Sequence, residues 1–321
     1  MIGHQSPGDQ GGGPGPHDMI KGPRGWTCFR VPSIMRPPNA LHYVEAGDRE
    51  GPPLLFLHGI TGSRRYWQKK TRPLCRDYRL ILPDLLGFGL SPKPYLEYTI
   101  EVFRDSVREF VVERNLTDRP LTIIGHSLGG LIALEYAARY AAHVRRMILL
   151  SLPRFSDPAT AHALFWRGSP HYRRLLNEHS LVETLSQMKR SGLEIALRYL
   201  LRFPWSVVID SHKFTFKSLT STLEHCLLNY QVDRILPAVP PVPTLLIHGE
   251  QDSVAPFDHV RHLPDIYPHM RLRAVGGTGH HLFLTHTALC LDLFREFLAE
   301  DSRLAPAYTG IETPRVQGGS E

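Results

Sequence analysis

Short, continuous apolar runs alternate with helical patterns along most of this chain, and the alternation limits the folds that it can adopt. Strands are predicted at 41–47, 53–59, 78–84, 120–126, 145–152, 243–250 and 270–275. An unbroken apolar run of this length is typical of a strand that is covered on both faces. Strands that alternate with helices form βαβ units. The predicted fold class is therefore α/β, a mostly parallel sheet with helices on both faces.

Helical patterns fill the spaces between these runs. They lie at 63–75, 99–115, 127–144, 287–300 and, in part, 256–268. In the second of them, Ile100, Phe103, Val107 and Phe110 recur at three- and four-residue spacing. This spacing places the four side chains on one face and predicts an amphipathic helix that packs on the sheet.

The alternation stops over residues 153–240, which carry several helical patterns and no buried strand. We expect them to form a helical lid inserted into a core made of 26–152 and 241–301. Ligands bind at the carboxyl edge of open parallel sheets, which is the edge that such a lid would cover. Residues 1–25 and 302–321 are rich in glycine, proline and polar residues and are expected to be disordered tails, because they bury too little apolar surface.

Composition and motifs exclude several function classes. The formal net charge is +6, but no basic run carries interleaved aromatic residues, so we expect no nucleic-acid partner. No stretch reaches the roughly 18 apolar residues of a membrane span, and no secretory signal is visible, so a cytoplasmic protein without membrane association is expected. Cys28, Cys75, Cys226 and Cys290 form no CxxC pair, which predicts reduced thiols and no metal site. No motif indicates a cofactor.

One serine lies between glycines where a buried strand runs into a helix. In LTIIGHSLGG (121–130), Gly125 and Gly129 flank Ser127. A sharp strand-to-helix turn crowds its own backbone and needs small neighbours. The N–H of Leu128 would then lie at a helix start, where it can stabilise a developing oxyanion. The pattern G-x-S-x-G predicts a nucleophile elbow, and a plain glycine-rich turn capped by Ser127 is the alternative.

A serine nucleophile needs a base, and the base needs an orienting carboxylate. Both are expected in loops that follow later strands. EQDSVAP follows the strand TLLIHG and supplies Asp252, and GGTGHHLF follows MRLRAV and supplies His280 and His281. His280 is the favoured base because Gly279 before it permits a tight turn, and His281 would then line the pocket. Asp157, after an earlier strand, is the alternative acid.

The loop LHGITG after the strand at 53–59 is expected to complete the site. Its Ile60 N–H is the predicted second oxyanion donor. His58 is interpreted mainly as a packed histidine that holds this loop, with a place in the substrate pocket as the alternative. The other candidates for the pocket are His126, Trp166, Val254 and His281. Aromatic residues of the lid such as Trp166 are expected mostly to pack, and an apolar acyl pocket is their functional alternative.

Taken together, these motifs resemble those of the α/β-hydrolase superfamily over roughly residues 26–300. The resemblance rests on His58–Gly59, the loop 84–91, the elbow 125–129, Asp252 and Gly279–His280. It is closest to the capped branch that holds esterases, lipases, carbon–carbon bond hydrolases and cofactor-free haloperoxidases. Haloalkane dehalogenases and epoxide hydrolases share the architecture but carry an aspartate where this chain has Ser127, which disfavours their chemistry.

The resemblance implies a serine hydrolase that cleaves a carboxylic ester or related acyl compound through a Ser-His-Asp triad and an acyl-enzyme. The expected partner is a small, apolar acyl substrate. Two alternatives stay open. The same triad could act on a C–C bond, a thioester or a peracid, or the fold could serve as a ligand-binding receptor.

Overall fold

The computed structural model describes residues 19–21, 27–29, 40–168 and 213–300. Most of the two predicted tails and the middle of the predicted lid, 169–212, therefore lie outside the described residues.

A nine-stranded sheet runs through the described part of the chain. Its strands are β1 Met19–Lys21, β2 Thr27–Phe29, β3 Tyr43–Gly47, β4 Pro53–Leu57, β5 Arg79–Pro83, β6 Leu121–His126, β7 Val144–Leu150, β8 Thr244–Gly249 and β9 Met270–Val275. Their order across the sheet is β1-β2-β3-β5-β4-β6-β7-β8-β9. The pairs β1–β2, β2–β3 and β3–β5 are antiparallel. The remaining pairs, β5–β4, β4–β6, β6–β7, β7–β8 and β8–β9, are parallel. The prediction of a mostly parallel α/β sheet is confirmed.

One strand lies in the N-terminal segment for which the sequence predicts disorder. β1 pairs with β2 in the register Met19↔Phe29 and Lys21↔Thr27. Pairing at the edge of a sheet uses backbone N–H and C=O groups and needs no apolar side chain, so the composition does not reveal it. The prediction of a disordered tail is wrong for these three residues.

Helices cover both faces of the sheet. Those of the described residues are α1 Arg65–Gln68, α2 Ile100–Glu113, α3 Leu128–Arg139, α4 Pro158–Gly168, α5 Phe216–Thr222, α6 Leu263–Ile266, α7 Leu282–Thr285 and α8 Thr287–Ala299. Phe103 of α2 and Ile132 of α3 belong to one buried apolar layer, and Trp67 of α1 and Phe294 of α8 belong to the other. Between these layers, every residue of β4, β6 and β8 is buried.

The helix predicted over 63–75 is much shorter than expected. Only Arg65–Gln68 is α-helical, and Arg72–Leu74 forms a separate 3-10 turn with proline in its first positions. Proline disfavours the helical conformation of the residue before it and lacks the N–H that a continuing α-helix needs. Pro73 therefore divides the segment.

The described parts of the predicted lid are helical and contain no strand. α4 and α5 lie in them, and α5 runs into a π-helical turn, Leu223–Leu228. α5 begins in a capping box between Thr215 and Ser218. The Ser218 Oγ also donates to the carbonyl of Gly87 at 3.0 Å, which ties α5 to the loop after β5. That this insertion covers the carboxyl edge of the sheet stays a prediction.

Helix α3 comes unusually close to the end of β4. A Cβ atom at Gly129 would lie 2.3 Å from the carbonyl oxygen of Leu57, which belongs to the backbone of a buried strand. At the next residue, Gly130, a Cβ would lie 3.1 Å from the Cδ1 methyl of Leu152, which is the end of a flexible side chain. Of these two helix positions, only position 129 requires glycine for α3 to approach the end of β4 this closely.

We expect Gly129→Ala and Gly130→Ala to differ, although the two residues are neighbours in one helix. Alanine favours a helix interior by about 1 kcal/mol over glycine. Gly130→Ala displaces only a methyl group, so its free energy of unfolding should stay within about 1 kcal/mol of the wild type. Gly129→Ala should lose roughly 1–3 kcal/mol, because the new methyl overlaps a backbone carbonyl. Urea unfolding followed by circular dichroism measures both values, and equal stabilities would contradict this packing.

Candidate active site

Ser127 occupies a sharp turn between β6 and α3. Its backbone has φ 52° and ψ −117°, a conformation that costs a non-glycine residue roughly 1–3 kcal/mol. Neighbouring hydrogen bonds hold it, because the Ser127 N–H donates to Leu150 O at 2.9 Å and Ser127 O accepts from Gly130 N at 2.8 Å. A Cβ at Gly125 would lie 2.4 Å from the carbonyl oxygen of Gly129, so the turn also excludes a side chain there.

Asp252 lies in the loop after β8, with its side chain buried. Its Oδ1 accepts from the N–H groups of Val254 at 2.9 Å and Ala255 at 2.8 Å, and its Oδ2 lies 2.8 Å from His280 Nδ1. Burial alone raises the pKa of this carboxyl, but the His280 ring and the backbone hydrogen bonds outweigh burial and lower the pKa to about 2. Asp252 is therefore ionised at neutral pH.

His280 lies in the glycine-rich loop after β9. Gly277 adopts φ 69° in this loop, and the Gln251 N–H donates to Thr278 O at 2.9 Å, which joins the loops that carry the acid and the imidazole. Because the His280 Nδ1 faces a carboxylate, that nitrogen carries the ring proton, and Nε2 is the basic nitrogen of the neutral ring. The structure brings His280 to Asp252, and Asp157 instead caps α4 by accepting from Thr160 N at 2.8 Å.

His126 lies beneath the site. Its side chain is 2 % exposed, and its ring stacks on Tyr66 with centroids 4.5 Å apart. The His280 and His281 rings lie 5.0 Å and 5.4 Å from it. Burial and then these two histidines hold the pKa of His126 well below its usual value, so the ring is neutral. Its place in the substrate pocket stays a prediction.

His58 holds the loop after β4. Its Nε2 accepts from the Leu85 N–H at 2.9 Å, so its proton is on Nδ1, which donates to Gly59 O at 2.8 Å. Gly62 N also donates to this carbonyl, at 3.1 Å. In a trans peptide the N–H and the preceding C=O point in opposite directions, so the Ile60 N–H faces away from these two donors. His58 is fully buried, and its place in the substrate pocket stays a prediction.

The loop that carries Ile60 lies beside the elbow. A Cβ at Gly59 would be 3.3 Å from the Ser127 Cβ. Leu128 is the first residue of α3, and the first N–H groups of a helix have no acceptor within the helix. The two predicted oxyanion donors thus belong to two segments that both lie next to Ser127, the loop after β4 and the first turn of α3.

The sequence analysis did not single out Arg64, although it is part of a buried ion pair. Asp84, in the loop after β5, accepts from the Arg64 N–H at 2.7 Å, from Arg64 Nη1 at 2.8 Å and from the Leu90 N–H at 2.9 Å. Burial raises the pKa of Asp84, but the His42 ring, whose Nδ1 lies 3.3 Å from the carboxylate, and the Arg64 charge bring it below its usual range. The pair joins the loops after β4 and β5, and the only sequence signal is an arginine after a glycine-containing loop.

Three pocket candidates remain. His281 is partly buried just before α7, with its ring 5.4 Å from that of His126. Val254 is partly buried beside Asp252, and Trp166 lies in α4 with its side chain outside the described part. In the ranges that the structure describes, no three His, Cys, Asp or Glu side chains are placed to bind one metal ion. Among the same residues, no helix is both long and apolar enough to cross a membrane.

Comparisons with known proteins show which family and which relatives this chain resembles. A family model described as "alpha/beta hydrolase fold" matches residues 52–287. The chain is 26% identical to a cis-3-alkyl-4-alkyloxetan-2-one decarboxylase of Shewanella oneidensis, over 86% of this chain and 91% of that protein. It is 27% identical to a 2-hydroxymuconate semialdehyde hydrolase of a Pseudomonas species, over 78% and 88%. The solved enol-lactonase of Burkholderia xenovorans superposes with a TM-score of 0.64 at 20% identity, over 81% and 96%.

The neutral histidines predict how stability changes with pH. Burial and the His280 ring lower the pKa of His281 from 6.5 to about 3. Between these values the unfolded chain binds the extra proton, so stability falls as the pH is lowered. From pH 7 to pH 5 this single ring accounts for a loss of about 2 kcal/mol. We expect His281→Gln to lose about 2 kcal/mol less than the wild type over that interval, in urea unfolding at both pH values.

The exposed His286 supplies the matched control, as His286→Gln. It should follow the wild-type pH dependence, because its side chain is already in solvent. If His281→Gln follows the wild-type curve as well, the ring is not held neutral in the folded protein.

Proposed function

The chain belongs to the α/β-hydrolase family, and we propose that it is a serine hydrolase that cleaves a carboxylic ester or a related acyl compound. Ser127 is the nucleophile, His280 the general base and Asp252 the carboxylate that orients the base. The observation that carries the proposal is the 2.8 Å contact between His280 Nδ1 and the buried, ionised Asp252, beside the sheet edge where Ser127 occupies its strained turn. An arrangement of this kind can activate a hydroxyl that is otherwise a weak nucleophile.

In the first half of the reaction, the Ser127 Oγ attacks the acyl carbon, and His280 Nε2 accepts the serine proton. Asp252 stabilises the imidazolium and keeps the ring in the tautomer with Nδ1–H. The carbonyl π electrons move onto the oxygen and give a tetrahedral oxyanion. When this intermediate collapses, the bond to the leaving oxygen breaks, and that oxygen takes the proton from His280. The product is an alcohol and an acyl-enzyme on Ser127.

In the second half, His280 removes a proton from water, and the resulting hydroxide attacks the acyl carbon. Collapse of the second oxyanion returns the proton to the Ser127 Oγ and releases the carboxylic acid. The N–H groups of Ile60 and Leu128 are the proposed donors to both oxyanions, and losing one such donor costs roughly 3 kcal/mol in comparable sites. The backbone of Gly59 supports this role, because its carbonyl is held away by His58 and Gly62.

The substrate is proposed to be a small, apolar acyl compound. The partly buried side chains of Ile60 and Val254 are apolar, which suits such a group. An alkyloxetan-2-one, which gives the Shewanella relative its name, is a four-membered cyclic ester. The second candidate is hydrolysis of a C–C bond by the same triad, and the relative named for hydrolysis of a semialdehyde favours it.

We expect a fluorophosphonate probe to add once to the wild-type protein and not at all to Ser127→Ala, because only an activated serine attacks the phosphorus. Intact-mass spectrometry counts the adducts. Ser156→Ala is the matched control, because the Ser156 side chain is exposed and its hydroxyl donates a hydrogen bond to Asp157. This variant should be labelled like the wild type. Hydrolysis of p-nitrophenyl esters of increasing acyl length, a β-lactone and a vinylogous diketone then separates ester from C–C cleavage. An unlabelled wild type that turns over none of these substrates would refute the proposal and favour a receptor.

We expect Asp252→Asn to lower kcat by roughly 10³- to 10⁴-fold, because an amide favours the wrong tautomer of the base and cannot stabilise its charged form. The control is Glu250→Gln, which removes the other carboxylate of the same loop, and its kcat should stay near the wild-type value. The measurement is the steady-state rate on the best ester of the panel. Equal losses in the two variants would mean that loop charge, and not the pair with His280, supports the rate.

A further inference from the structure

The backbone carbonyl of His280 accepts two side-chain hydrogen bonds. His126 Nε2 lies 2.9 Å from this oxygen, and the Ser151 Oγ lies 3.0 Å from it. Both donors are buried, at 2 % and 0 % exposure. His126 is the residue immediately before Ser127, and Ser151 follows the last residue of β7. Two strand ends therefore hold one peptide of the loop that carries the imidazole.

We propose that His126 is a positioning residue, whose Nε2–H holds the His280 carbonyl and so sets the imidazole of His280 relative to the elbow. The inference rests on the proposed function, because it takes His280 as the base. His126 itself exchanges no proton with the substrate. It acts by linking the nucleophile turn, of which it is the preceding residue, to a loop 154 residues further along the chain.

The hydrogen-bond partner determines the tautomer of His126. A carbonyl oxygen can only accept, so Nε2 must carry the proton, and Nδ1 of the neutral ring holds a lone pair. Nδ1 is buried and, within the described residues, has no hydrogen-bond partner. It faces Gly59, where a Cβ would lie 2.9 Å away. A second proton on this ring would have no acceptor, which suits a fixed donor and not an acid or base.

Both donors are rigidly held. The His126 ring is stacked on the buried Tyr66 at an interplanar angle of 21°, with Gly59 at its Nδ1 edge, so the direction of Nε2–H is set by packing. Ser151 has φ 49°, and its N–H donates to Ile247 O of β8 at 3.0 Å. The Ser151 hydroxyl is therefore carried by a backbone that β7 and β8 hold in place.

The loop that they hold needs such support. Residues 276–279 include three glycines, and glycine gives a backbone unusual conformational freedom. Asp252 fixes only the Nδ1 side of the imidazole, and the His280 carbonyl is the point where the protein fixes the backbone of the same residue. Displacement of a reacting group by about 1 Å can lower a rate about 100-fold, so this link bears on turnover.

Three substitutions of His126 test the proposal. The amide nitrogen of His126→Gln lies about as far along the side chain as Nε2 and can donate to the carbonyl. The amide of His126→Asn lies near the position of Nδ1 and cannot reach the His280 carbonyl. His126→Leu has no hydrogen-bond donor in its side chain. We expect the Asn and Leu variants to lose roughly 10- to 100-fold in kcat with little change in KM, and His126→Gln to recover most of kcat. Urea unfolding of each variant measures the stability.

A spectroscopic measurement separates this proposal from the proposed function. The Nδ1–H of His280 against Asp252 should give a downfield proton resonance in the wild type, assigned by its absence in His280→Gln. We expect the resonance to shift or broaden in His126→Leu and to be retained in His126→Gln. This result would support positioning even if the wild type is not labelled by the fluorophosphonate, an outcome that would overturn only the hydrolase mechanism.

Two results would overturn the positioning role. In the first, His126→Leu keeps the wild-type kcat and the wild-type resonance. In the second, the Gln, Asn and Leu variants lose kcat and stability to the same extent, which would make His126 a packing residue whose hydrogen bond has no separate effect.

Discussion

The site depends on how closely the first turn of α3 approaches the ends of β4 and β6. Because backbone lies where the Cβ atoms of residues 125 and 129 would be, the chain must reverse within one residue, and Ser127 takes the left-handed conformation that this requires. The same reversal starts α3 beside the loop that carries Ile60. One steric constraint therefore sets the conformation of Ser127, the start of α3 and the approach of the neighbouring loop together.

Two buried carboxylates lie near this edge, and their partners give them different capacities. Asp84 accepts a hydrogen bond from the Arg64 guanidinium at 2.8 Å, with the His42 ring 3.3 Å away, and this ion pair links the loops after β4 and β5. Asp252 faces an imidazole, which can gain and lose a proton, and an ionised carboxylate stabilises the protonated form. His58 and His126 are also buried imidazoles, but each faces backbone groups that fix one neutral tautomer. Of the imidazoles of His58, His126 and His280, that of His280 has the hydrogen-bonded carboxylate partner, and this is why we propose it as the base.

The sequence predicts much of this arrangement, because apolar runs report burial directly. The predicted strand MRLRAV coincides with β9, and the elbow and the loops of Asp252 and His280 follow strands where the patterns end. Other features leave no local pattern. β1 pairs through backbone groups, and the hydrogen bond from His126 to the His280 carbonyl joins residues 154 positions apart. Such long-range polar contacts become visible only once the strands are aligned.

The links between these loops also bear on how the protein folds. Ser151 and His280 are 129 residues apart, and His126 and His280 are 154 apart, so the contacts close very long chain loops. Contacts of this kind form slowly, because the chain must lose the entropy of loop closure before they stabilise it. β6, β7 and β9 must all have joined the sheet before the His280 carbonyl can meet its two donors. During refolding, the geometry of this site should therefore mature after the bulk of the helices, and it marks the completion of the sheet.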